Sequence, residues 1–165
     1  MARLSDFERA QIQALLSTQP RSIIPGTALY ISPQMTLHDD VYEMCIVPAL
    51  YKNSIITSVP HCVVDSDSPV SELYEQIQTT ELLFFDLTTM VPEVLYALGL
   101  AHAIGRYPLI LHQKQTAPPF DLTAVRRISY TPDADGLRNL RSELTRAIRI
   151  HLAGIRAAER NTDAG

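Results

Sequence analysis

The chain has 165 residues, 46% of them hydrophobic and 19% charged, with a mean hydropathy of +0.02. That composition excludes wholesale disorder and suits one domain of ordinary size. The formal charge is −4 and the isoelectric point about 5.7, so no basic field is expected for a phosphate backbone, and nucleic acid is not an expected partner. Two cysteines, Cys45 and Cys62, are too few for a disulfide framework, no apolar run is long enough to span a bilayer, and the opening MARLSDFERA has no signal-peptide core. A single soluble, cytoplasmic domain is expected, with no membrane partner.

The opening residues read as a helix, with Ser5 and Glu8 in a capping-box pattern and Leu4, Phe7, Ile12, Leu15 and Leu16 broadly on one side. Pro20, Pro25 and Gly26 then break the chain, so residues 1–26 form an N-terminal helix and linker and residues 27–160 the main domain. Thr27 to Ile31 is a short apolar strand ended by Ser32-Pro33. A helix begins near Thr36, with Asp39 and Asp40 in its positive first turn, and Pro48 is expected to kink or divide it. Residues 61–64 make a second strand, closed by Asp65-Ser66-Asp67, and Ser68-Pro69 opens a helix through SELYEQIQ.

Leu82 to Phe85 is an all-apolar strand with Asp86 just past its end. Pro92 starts a helix to about Ile104, and Gly105 stops it. Leu109–Leu111 and Arg127–Tyr130 are the remaining strands. From about Asp135 one long helix follows, with Leu137, Leu140, Leu144, Ile148, Leu152 and Ile155 as its apolar stripe. Continuous apolar strands alternating with amphipathic helices predict a doubly wound, flavodoxin-like α/β fold, a parallel sheet of about five strands with helices on both faces. Ligands in such folds bind beyond the carboxyl ends of the strands. The polar residues expected on that rim are Tyr30 and Ser32, Asp65 and Asp67, and Asp86 with Thr88 and Thr89.

Asp86, beside the amides of a Pro-started helix, suits the hydroxyls of a ribose. It also suits a plain loop-amide acceptor, and its place at a strand end puts it outside the core. Asp65 and Asp67 read as a turn or as ligand contacts, and Tyr30 as a sugar- or base-positioning residue or an ordinary strand residue. The five histidines show no metal-ligand spacing, and His102 reads as a hydrogen-bonded structural residue. Cys45 and Cys62 read as core packing. The arginines of the last helix, Arg138, Arg141, Arg146, Arg149, Arg156 and Arg160, read as a solvated face. No G-x-G-x-x-G, Walker A or G-x-S-x-G pattern is present.

Three stretches resemble the nucleoside 2-deoxyribosyltransferase-like family: LYISP at 29–33, LLFFDLTTMVPEVLYALGLAHA from Leu82 to Ala103, and PFDL at 119–122 followed by VRRISY. The resemblance implies a flavodoxin-like fold acting on the N-glycosidic bond between a base and a (deoxy)ribose, with no metal or organic cofactor. It makes Tyr30 the active-site tyrosine and Asp86 the sugar-holding aspartate. The family's glutamate nucleophile is replaced by Ala97, whose methyl group cannot form a glycosyl intermediate. Glu93, four residues earlier on the same helix face, is the carboxylate that could substitute as a catalytic residue.

The expected function is then a nucleoside- or nucleotide-binding protein that lacks the standard nucleophile. Its ligand set is Tyr30, Ser32, Asp65, Asp86, Thr88 and the Ala97 position. The alternatives are an enzyme that uses Glu93 or a partner subunit's carboxylate, and an assembly subunit with a vestigial pocket. A homodimer or larger homo-oligomer is expected as well. A helix over 135–160 would run about 39 Å, carrying Leu152 and Ile155 past the sheet edge into water.

Overall fold

The apolar runs of the sequence become five parallel strands, β1 (Ile24–Ser32), β2 (His61–Val63), β3 (Thr80–Asp86), β4 (Leu109–Gln113) and β5 (Arg127–Tyr130), in the order β2-β1-β3-β4-β5. The computed structural model describes residues 21–33, 36–55, 61–63, 70–116 and 126–162, and of 36–38, 61–63 and 155–162 the backbone alone. The expected N-terminal helix, Asp65, Asp67 and the PFDL stretch lie outside the described residues, as does the Cys62 side chain. The helices are α1 (Thr36–Val41), α2 (Val47–Lys52), α3 (Val70–Thr79), α4 (Pro92–Ala103) and α5 (Ala134–Thr162), with a π-helical segment at Tyr42–Ile46. This is the doubly wound, flavodoxin-like architecture that the alternation of elements predicts.

Two apolar layers fill the space on either side of the sheet. One face presents Ala28, Tyr30, Leu82, Phe84, Leu109, Leu111, Ile128 and Tyr130 to α1, the π segment, α2 and α5. The other presents Leu29, Ile31, Leu83, Phe85 and Ile110 to α3 and α4. Alternate residues of each strand go to opposite faces, and a strand buried on both sides reads as a continuous apolar run, as β3 does.

Two expectations need correction, and a third, the division of a helix at Pro48, takes a definite form. The chain does not break at Pro25-Gly26: β1 starts at Ile24, and the two residues sit in a bulge between the pairs Ile24–Thr80 and Ala28–Leu82. Gly26 takes φ 76 there, and its N–H donates to Glu81 Oε2 at 2.5 Å, while the Thr27 hydroxyl accepts from the Glu81 N–H at 3.0 Å. Pro48 divides the helix in a specific way. Lacking an N–H, it cannot close an α-turn, and the preceding turn widens so that the Val47 N–H reaches the Tyr42 carbonyl. Finally, Leu152 does not overhang into water; within the single chain it is 5% exposed and belongs to the same core layer as Leu144 and Ile148. Leu152 therefore offers no surface for pairing between copies.

Candidate functional site

β1 leads into α1 on one face of the sheet and β3 into α4 on the other. The two connections part company above the sheet, which makes the carboxyl ends of β1 and β3 the switch point where folds of this class place a ligand crevice, bounded here by Ser32-Pro33 and the loop Leu87–Val91. Met90 in that loop adopts φ 47, a left-handed conformation that costs a residue with a side chain about 1 kcal/mol or more and concentrates at functional turns.

Beneath this switch point, at the carboxyl ends of the strands, lies a buried polar network. Asp86 is wholly buried, and its Oδ2 accepts from the Tyr30 hydroxyl at 3.2 Å and from the Tyr130 hydroxyl at 3.0 Å. Its Oδ1 accepts from the Thr88 N–H at 2.8 Å. Because the Tyr130 proton is committed to Asp86, the Thr88 hydroxyl donates to the Tyr130 oxygen, 3.3 Å away, and itself accepts from the Gln113 N–H at 3.2 Å. The Thr116 hydroxyl donates to the Thr88 carbonyl at 3.0 Å, and Ser32 hydrogen-bonds Tyr30. Tyr42, from the π segment, stacks on Tyr30 with ring centroids 6.2 Å apart.

Burial, and secondarily the negative Asp86 beside them, pushes both the Tyr30 and Tyr130 hydroxyls well above the ordinary tyrosine value. In the folded chain both stay neutral at a pH where an unfolded chain would ionise them. Their stabilising contribution is complete below about pH 10 and is lost as pH rises beyond that. We expect an alkaline spectrophotometric titration to show these two of the seven tyrosines ionising only together with the loss of helix signal. Ionisation of all seven before unfolding would contradict the network.

The structure thus brings together Tyr30, Ser32, Asp86 and Thr88 from the expected set. It leaves Ala97 apart, because Ala97 packs with Val94, Leu98 and Phe85 against the opposite face of the sheet from Tyr30 and Tyr130. Asp86 is not outside the core, as its strand-end position had implied; it closes β3 and is sealed under Thr88 and Tyr130. Tyr30, Ser32 and Asp86 are all fully buried, so they shape the crevice from below, whereas Thr88 and Glu93 are partly exposed and Thr89 is exposed. Glu93 stands in the first turn of α4. Tyr130, Gln113 and Thr116 were missed in the sequence. Tyr130 closes β5 as Asp86 closes β3, a signal that was present but unused.

His102 departs from expectation too. Its Nε2 is buried without a hydrogen-bond partner among the described residues, and burial pushes the imidazole below its usual value. Cys45 fits core packing, with its thiol donating to the Leu137 carbonyl at 3.3 Å and burial pushing it up to about 11. Among the described residues there is no group of three or more His, Cys, Asp or Glu that could hold a metal ion, and no helix long and apolar enough to cross a membrane.

No family model matches the chain, and no curated protein matches it. Solved structures do. A flavo di-iron protein variant from Thermotoga maritima is similar over 75% of this chain, at 14% identity and TM-score 0.54. A second variant of a flavo di-iron protein from that organism and a flavoprotein from it, at 13% and 12% identity, cover 79% with TM-score 0.57. The match takes in only 36–37% of the length of those proteins. These likenesses show a flavodoxin-like fold. They overturn the resemblance to nucleoside 2-deoxyribosyltransferases, and the N-glycosidic chemistry falls with it. The misleading block, an apolar strand ending in Asp and a Pro-started helix with small inward residues, is what a strand–loop–helix unit of this fold requires whatever its function.

Proposed function

We propose that this domain binds a small molecule of the nucleoside class, a heteroaromatic ring carrying a polyol, in the crevice above β1 and β3. The observation that carries the reading is the Asp86–Tyr30–Tyr130 network at the carboxyl end of the sheet. Burying a carboxyl group and two phenol groups has a desolvation cost, and placing them under the switch-point crevice fixes the geometry of Thr88 and the loop above. Thr89 offers a hydroxyl and Thr88 the remaining lone pair of its hydroxyl to the polyol, and Met90 and Val91 offer apolar surface to the ring. That similar structures are described as flavoproteins is consistent with a ring of this kind.

The electrostatics narrow the class. The N-terminus of α4 has no side-chain cap, which ordinarily favours an anion, but Glu93 already places a negative charge in that first turn. A ligand phosphate would meet Glu93; a ligand hydroxyl would donate to it. We therefore expect, in thermal-shift and calorimetric titrations, that adenosine, uridine or riboflavin binds at least as tightly as the corresponding 5′-phosphate. Phosphorylated members winning by tenfold or more, or no member binding at all, would defeat the proposal.

A further inference from the structure

Arg138, Arg141, Arg146 and Arg149 of α5 are exposed, as a solvated face requires, but they are not spread evenly over the surface. Arg138, Arg141, Arg146 and Arg149, with Thr145, line one side of an open groove of about 620 Å³, and Lys52 at the end of α2 lines the other. Five of the chain's fourteen Lys and Arg residues thus share one groove of a protein with eighteen acidic residues. Arg138 pairs with Asp135. No carboxylate pairs with Lys52, Arg141, Arg146 or Arg149 among the described residues. Glu143, the one acidic residue of α5 between Gly136 and Ile150, falls two positions from Arg141 and from Thr145 and three from Arg146, so it stands at the Arg146 edge of the stripe and leaves Arg141 and Arg149 on the side away from it.

The groove is held in shape. The Asn53 side-chain amide donates to the Ala49 carbonyl at 2.8 Å and to the Thr145 carbonyl at 3.1 Å, tying the end of α2, and hence Lys52, to the arginine stripe. Like charges collected this way repel one another, and an anion that enters relieves the repulsion. Guanidinium groups favour phosphate oxygens, which they can grip through two parallel N–H bonds.

We propose that the α2–α5 groove is a second binding site, separate from the crevice, for a short chain of linked phosphates. Length decides between a short polyanion and a nucleic acid. From Arg138 to Arg149 the stripe spans about 16 Å at 1.5 Å rise per residue, room for a few phosphates in series. A longer nucleic-acid strand would run on over an acidic protein.

The test is calorimetric titration of the whole chain with inorganic tripolyphosphate at about 0.15 M salt. We expect saturable binding at one site, at least about a hundredfold weaker when Arg141→Gln, Arg146→Gln and Arg149→Gln are combined, since each lost charged hydrogen bond is worth about tenfold or more. Arg127→Gln, an exposed cation on β5, should leave the affinity unchanged. If the triple variant loses its helix signal, Arg146→Gln and Arg149→Gln singly carry the test, each with about a tenfold loss. No binding of tripolyphosphate, an equal loss in Arg127→Gln, or tighter binding of a single-stranded oligonucleotide would overturn the proposal.

Discussion

Asp86→Ala is expected to lower the unfolding free energy by about 3–5 kcal/mol, because it leaves two buried tyrosine hydroxyls and the Thr88 N–H without their acceptor. In a domain of this size that corresponds to a fall in melting temperature of roughly 6–20 °C. Asp86→Asn retains one acceptor oxygen and should cost less, about 1–3 kcal/mol. Thermal and urea unfolding followed by circular dichroism measure both. An alanine variant melting within a degree or two of the wild type would mean that the tyrosines find other partners and that the network is not what fixes the floor.

Gly136→Ala is expected to act on the same network from a distance. A Cβ at Gly136 would lie 2.2 Å from both the carbonyl oxygen and the Oγ1 of Thr131, closer than atoms pack. The carbonyl is backbone, so the turn from β5 into α5 must shift, and Thr131 follows directly on Tyr130, which donates to Asp86. The turn is also fixed by the Gly136 N–H, which donates to Asp133 Oδ1 at 2.8 Å. Overpacking of this kind costs about 3 kcal/mol, more than the roughly 1 kcal/mol that alanine gains over glycine in helix propensity. Adding Thr131→Ala removes the hydroxyl but not the carbonyl, so the double variant should remain destabilised. Full rescue by Thr131→Ala would show that the side chain alone made the conflict.

The sheet was legible because burial on both faces leaves an unmistakable signature. Leu82–Phe85, apolar on both sides and too short for a buried helix, reads as an interior strand, and β5 begins and ends where the sequence places it. Pro25-Gly26 misled because the residues that break strands are also those that build bulges, and only the pairing of Ile24 with Thr80 tells the two apart. Asp86 was found but its role was not. A polar residue at a strand end is read as facing solvent, and nothing local reveals that Tyr130, forty-four residues on, comes to cover it. Ala97 was drawn into the site by the family resemblance, as the position of its glutamate nucleophile, yet it packs on the other face of the sheet. The arginines of α5 show the same limit. Helical spacing aligns them, but only Lys52 on a separate helix makes a groove of the stripe.

A nucleoside-class ligand received between the ends of β1 and β3 must disturb the backbone around it. Backbone amide shift mapping on the isotope-labelled chain during titration with adenosine, uridine and riboflavin tests this binding most directly. Binding there is expected to perturb the amides of Ser32, Thr88 to Val91, Glu93 and Val94, together with Gln113, whose N–H bonds the Thr88 hydroxyl. Arg106, which donates to the carbonyls of Gln78 and Glu81 near the opposite end of β3, should stay unmoved. Perturbations centred on Arg106 or spread evenly over the surface, with Thr88–Val94 silent, would contradict the account.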